Sequence, residues 1–79
     1  MRALSYHERY RKVISISING EARQFDIPVS VATLIEQMQL GGKRIALERN
    51  GEIVPRSQFA QQMLADGDKL EIVVAVGGG

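Results

Sequence analysis

Seventy-nine residues, 44% hydrophobic and 24% charged, fit one small globular domain near the lower size at which a core outweighs chain entropy without disulfide or metal support. The absence of cysteine excludes a disulfide framework, a thiolate metal site and a cysteine nucleophile. The net charge of +1 is unevenly placed: Arg2, Arg9, Arg11 and Lys12 against Glu8 give residues 1–12 a charge of +3 and leave the remainder at −2.

Residues 1–12 also hold Tyr6, His7 and Tyr10. Four cations and two tyrosines without a patterned partner surface give little support to nucleic-acid contact, so the segment reads as a basic, flexible N-terminal extension, a solvated tail or a short added helix. It lacks the apolar segment of a secretory signal, and the longest apolar run, residues 72–76, is far too short for a bilayer. The chain therefore reads as cytoplasmic, with neither a membrane nor a nucleic acid as partner.

From Val13 onward the pattern becomes regular. Ile14, Ile16 and Ile18 alternate with Ser15, Ser17 and Asn19, the period of a half-buried strand. Asn19-Gly20 supplies a tight turn, because both residues tolerate positive φ, and a second strand over 22–27 is expected to run back beside the first. Pro28 closes it. Ser30 is a good N-cap for a helix whose Val31, Leu34, Ile35 and Met38 share one face, with Gly41-Gly42 expected to end it.

The stretch "RIALERNGEIVPR" repeats the hairpin logic: a strand over 45–49, an Asn50-Gly51 turn and a short strand over 52–54 stopped by Pro55. Ser57 is placed to cap a brief helical turn through Phe59 and Met63. Asp66-Gly67-Asp68 then turns the chain into a last strand over 69–76. Leu70, Ile72, Val74 and Val76 alternate toward the helix, leaving Glu71, Val73 and Ala75 on the opposite face.

One helix packed across a mixed five-stranded sheet buries the apolar face of each, with the last strand parallel to the first. This is an α+β chain of the β-grasp, or ubiquitin-like, fold, with one main helix and a short helical turn. Residues 13–76 form the domain, residues 1–12 precede it and residues 77–79 form a flexible glycine tail.

Catalytic equipment is sparse. His7 is the only histidine, so neither a Ser-His-Asp arrangement nor a histidine metal cluster can be assembled. Asp66 and Asp68 flank a glycine in the manner of a turn rather than of a catalytic dyad or calcium loop. Arg23, Lys43, Arg44, Arg49 and Arg56 read as scattered solubilising charges. Gly77-Gly78-Gly79 has no following helix and so is no phosphate loop.

The remaining reactive group is the α-carboxylate of Gly79, ionised at neutral pH with a reference pKa of about 3.5. In a partner's active site it can attack the α-phosphate of ATP, release pyrophosphate and become a mixed anhydride, with the partner supplying magnesium and phosphate-binding groups. Three glycines without Cβ atoms can thread a narrow channel and reach roughly 10 Å. Gly77 and Gly78 would then enter the partner's site, and exposed, apolar Val73 and Ala75 would offer a docking surface, the favoured reading, or be covered by residues 1–12.

The order and spacing of "ALERNGEIVPRSQFAQQMLADGDKLEIVVAVGGG" resembles the ThiS family of sulfur carriers in thiamine biosynthesis. The particular elements are Asn50-Gly51-Glu52, Val54-Pro55-Arg56-Ser57, the Asp66-Gly67-Asp68 turn and the terminal Val76-Gly77-Gly78-Gly79. The resemblance covers residues 13–79. It implies that Gly79 is adenylated by a ThiF-type, ubiquitin-activating-enzyme-like adenylyltransferase and converted to a thiocarboxylate with sulfur from a cysteine-derived donor. A ThiG-type thiazole synthase would accept that sulfur. On this reading the chain is a co-substrate and not an enzyme, binds no cofactor itself, and leaves ATP and magnesium to the activating partner.

Residues 1–12 have no counterpart in that family, and Arg49 stands where it often carries an apolar side chain. The nearest rival is the molybdopterin synthase small subunit, whose tail tends to have a proline-rich approach that residues 73–76 lack. A protein-modifying ubiquitin-like tag fits less well for the same reasons. A β-grasp binding module with idle glycines is the alternative from another class.

Overall fold

A computed structural model describes residues 13–75, so the expectations for residues 1–12, for Val76 and for the three terminal glycines lie outside the described residues. Among the described residues, five strands and one α-helix follow in the order β1 (Ile14–Ile18), β2 (Glu21–Phe25), α1 (Val31–Gln37), β3 (Ile45–Arg49), β4 (Glu52–Ile53) and β5 (Lys69–Val74), with a 3-10 turn at Arg56–Gln58. The sheet order is β2-β1-β5-β3-β4, parallel between β1 and β5 and antiparallel elsewhere. This is the mixed five-stranded β-grasp arrangement read from the sequence, with the last strand at the centre.

Both hairpins turn on the same backbone. Asn19 and Gly20 have φ of 51° and 86°, and Asn50 and Gly51 have 53° and 86°. Positive φ at both central residues is the two-residue turn whose twist matches its strands, which is why Asn-Gly occurs at each. The turns fix the registers at Ile18↔Glu21 and Arg49↔Glu52.

One face of the sheet supplies Ile14, Ile16, Ile18, Leu47, Leu70 and Ile72 to the core, and α1 closes it with Val31, Leu34 and Ile35. Val29, Val54, Phe59 and Leu64 fill the sides. The helix start is satisfied twice over. Ser30 Oγ accepts from Thr33 N–H at 3.1 Å, while Val31 and Ala32 donate to the carbonyls of Gln62 and Phe59 at 2.9 and 3.0 Å. The segment after the 3-10 turn thus serves as a second cap for the donors that a helix N-terminus leaves unpaired.

Several boundaries differ from the sequence expectation. β2 ends at Phe25 rather than at residue 27, because its last partner on β1 is Ile14 and Pro28 restricts Ile27. The helix stops at Gln37, well before Gly41-Gly42. Its end is a Schellman motif in which Leu40 donates to Ile35 O and Gln39 to Glu36 O, both at 2.9 Å, with Gln39 itself at φ 61°. A glutamine takes the left-handed position that the sequence assigns to glycine.

The 3-10 turn is preceded by Pro55 with no side-chain cap, so Ser57 does not cap it. β4 is two residues long. Val54 still donates to Leu47 O at 2.9 Å, but its side chain is buried and Pro55 follows. The described part of β5 ends at Val74, and Ala75 adds one further bond to Arg44 O at 2.9 Å.

Candidate functional site

The strand that leads into the glycines is held on both flanks by the two hairpin turns. On the β1 side only Ser17↔Lys69 and Ile18↔Leu70 pair, and β1 then gives way to its turn. Asn19 continues the ladder. Its N–H donates to Leu70 O at 2.9 Å, its Nδ2 donates to Ile72 O at 3.1 Å, and its Oδ1 accepts from Ile72 N–H at 2.8 Å. A side-chain amide here replaces the donor and acceptor that a longer strand would present.

Asn50 repeats the device on the other flank. Its N–H donates to Lys69 O at 2.7 Å and its Oδ1 accepts from Lys69 N–H at 2.9 Å. Its Nδ2 reaches Asp68 Oδ1 at 3.0 Å. Asp68, 6% exposed, also accepts from Ala65 N–H and from Arg49 Nη2 through Oδ2, each at 2.8 Å. Burial pushes the Asp68 carboxyl up, but the Ala65 N–H, the Asn50 amide and the Arg49 guanidinium together outweigh it and hold the pKa below the ordinary carboxylate value.

Arg49 is therefore a correction to the sequence reading. It is not a solubilising surface charge but the cation of this half-buried network, and its Nη1 also donates to Gln62 Oε1 at 2.8 Å. The guanidinium snorkels from a strand end beside Leu70, which lets a charge sit at the edge of the core. Asp66 and Asp68 are structural. Asp66 Oδ1 accepts from Ser15 N–H at 2.7 Å, and Gly67, at φ 89°, donates to Ser15 O at 2.7 Å. A polar cleft of about 380 Å³ lies beside this network, but Arg49, Asn50 and Gln62 on its wall already bond within the protein.

Among the sequence-predicted site residues, Val73 and Ala75 lie on the sheet face away from the helix, and Val73 is 64% exposed. Gly77, Gly78 and Gly79 lie outside the described residues. The β3 register adds what the reading of β5 alone missed. Ala46 stands opposite Val73 and Glu48 opposite Glu71, while Ile53 of β4 stands opposite Glu48 and is 74% exposed. The outward alternation of β3 was the available signal; the pairing that sets these residues side by side is a tertiary fact.

Among the described residues, no helix is long and apolar enough to cross a membrane.

The model of the ThiS family matches residues 16–79. A thiazole synthase from Paramagnetospirillum magneticum is 46% identical over 66 residues, covering 84% of this chain and 20% of that protein, so this chain spans about a fifth of that relative's length. The sulfur carrier protein ThiS of Escherichia coli is 35% identical over 66 residues, covering 84% of this chain and all of that protein. The crystal structure of a thiamine biosynthesis protein (ThiS) from Geobacter metallireducens superposes with a TM-score of 0.70 at 26% identity, covering 84% of this chain and all of that one.

Proposed function

The chain belongs to the ThiS family, and from that premise we propose that it is a sulfur carrier whose Gly79 carboxylate is adenylated and then converted to a thiocarboxylate for thiazole formation. A carboxylate oxygen attacks the α-phosphorus of ATP in an adenylyltransferase of the ThiF type. The bond to the β-phosphate breaks and pyrophosphate leaves. A sulfide-level sulfur derived from cysteine then attacks the acyl carbon, AMP departs, and the acyl group keeps the sulfur. Magnesium and the phosphate-binding groups belong to that enzyme.

This chain contributes presentation. The observation that carries the reading is the anchoring of β5, the strand running toward the glycines, by Asn19 on one flank and by Asn50 and β3 on the other. A tail that follows a strand anchored this way enters a partner's site from a fixed origin, which lowers the orientational cost of each transfer. Val73 and Ala75 on the outer face supply apolar contact area beside that origin.

A thiazole synthase of the ThiG type is the proposed acceptor. Support comes from the Paramagnetospirillum protein, a thiazole synthase in which a stretch similar to this chain occupies about a fifth of the polypeptide. The family match favours the thiamine pathway over that of the molybdenum cofactor.

Intact-mass measurement after incubation with ATP, the adenylyltransferase and a sulfur donor tests the proposal. It expects the exchange of one oxygen for one sulfur, localised to Gly79, and loss of that exchange in a folded chain extended by one residue beyond Gly79. No mass gain with an enzyme that loads another carrier would sink it.

A further inference from the structure

Glu48 and Glu71 stand directly opposite each other in the middle of the sheet, on the face away from α1, and both are exposed. Directly opposed side chains begin about 5 Å apart, and like charges in that relation destabilise a sheet. Among the described residues, no ion pair or side-chain hydrogen bond engages either carboxylate. Lys69 shares the face two positions before Glu71, and Arg44 lies at its far end opposite Ala75, yet neither forms an ion pair with these acids.

The acidic pair is bordered by apolar side chains. Ile53 lies next to Glu48, and Ala46 and Val73 form the neighbouring row, followed by Ala75 toward the chain end. A double negative charge set into exposed apolar area opposes folding slightly, but it complements a surface that carries a cation among apolar groups.

We propose that this face is read by a protein partner that inserts an arginine or lysine side chain between Glu48 and Glu71 while covering Ile53, Ala46, Val73 and Ala75. The inference rests on the reading above that Val73 and Ala75 supply contact area to a partner; it takes the proposed acceptor, thiazole synthase, as that partner and adds the residues that set selectivity. One partner cation between two carboxylates removes their repulsion, so the contact gains from both the new attraction and the relief of the old strain. A planar guanidinium suits the position, because it can donate to both carboxylates at once.

The test uses the full chain and a thiazole synthase, with binding measured by calorimetry at low and high salt. The double variant Glu48→Gln/Glu71→Gln is expected to bind about tenfold more weakly and to lose most of the salt dependence, as befits two interfacial charge contacts. Its thermal midpoint is expected to stay level or rise. Glu71→Lys should weaken binding further while raising the midpoint, because the new cation pairs with Glu48 and repels the partner's.

Unchanged affinity and salt dependence in the double variant, with binding lost in Val73→Glu, would overturn the charge-reading role and leave the docking face standing. Unchanged affinity in Val73→Glu as well, or no binding by the unaltered chain, would sink the docking reading and this inference with it. Nuclear Overhauser contacts from Val73 to Tyr6 or Tyr10 in the free chain would assign the face to the chain's own N-terminal residues and overturn the proposal.

Discussion

Asn19 pairs its side-chain amide with both peptide groups of Ile72, donating to the carbonyl at 3.1 Å and accepting from the N–H at 2.8 Å. The residue does two jobs at once, since its φ of 51° also closes the β1–β2 turn. Two substitutions separate them. Asn19→Gly keeps the backbone conformation and removes only the clamp, so it should cost about 1–2 kcal/mol of stability. Asn19→Ala loses the clamp and adds left-handed strain, about 1 kcal/mol more. Hydrogen exchange should show the Ile72 amide losing protection in both variants, and loss of protection spread evenly over the sheet would refute a local clamp.

Asp68 links the second turn to the start of β5 and gives the fold an acid-sensitive joint. Its folded pKa lies below the ordinary value of 3.8, so the stability it contributes is present above that value and is lost as pH falls below it, through the folded pKa. Asp68→Asn should therefore flatten the acid limb of the stability profile. At neutral pH it should cost about 2–3 kcal/mol, because an amide can still accept from Ala65 but turns no negative charge toward Arg49. Urea midpoints at a series of pH values from neutral down through the Asp68 titration check both expectations, and parallel profiles for the two proteins would exclude Asp68 as the titrating group.

Much of the fold was legible because periodicity and turn chemistry agreed. The alternation of Ile14, Ile16 and Ile18, the two Asn-Gly turns and the Ser30 cap each specify a local conformation from a few residues. Asn19 and Asn50 as clamps were not legible. That role depends on β5 lying between the two hairpins, a juxtaposition across up to 53 residues of sequence. Arg49 was misread for the same reason, since its partners Asp68 and Gln62 arrive from later segments. On the outer face Val73 and Ala75 could be assigned from the alternation of one strand, whereas Ile53, Glu48 and Glu71 become neighbours only through the register of three.

Gln39 tests the physical account of the helix end. It occupies the left-handed position of a Schellman motif at φ 61°, where a side chain costs energy that glycine does not. Leu40, packed against the core, anchors the motif one residue further on. Gln39→Gly should therefore stabilise the protein by about 0.5–1 kcal/mol, despite placing a more flexible residue in the chain. A thermal midpoint that falls on this substitution would mean that the Gln39 side chain supports the helix end.

Val73 distinguishes docking from packing through kinetics. At 64% exposure it contributes little to the core, so Val73→Ser should change stability by no more than about 0.5 kcal/mol. It lies well before Gly79 in the chain, with Gly77 and Gly78 between its strand and the proposed reacting carboxylate. A residue that only holds the partner, and does not touch the reacting atoms, affects ground state and transition state alike. Val73→Ser should therefore raise KM for the chain in the adenylation or sulfur-transfer assay about three- to tenfold and leave kcat unchanged. Steady-state kinetics with the chain as varied substrate measures the split. A fall in kcat at unchanged KM would place Val73 in the positioning of the terminal carboxylate, and no change in either would remove the outer face of β5 from the interface.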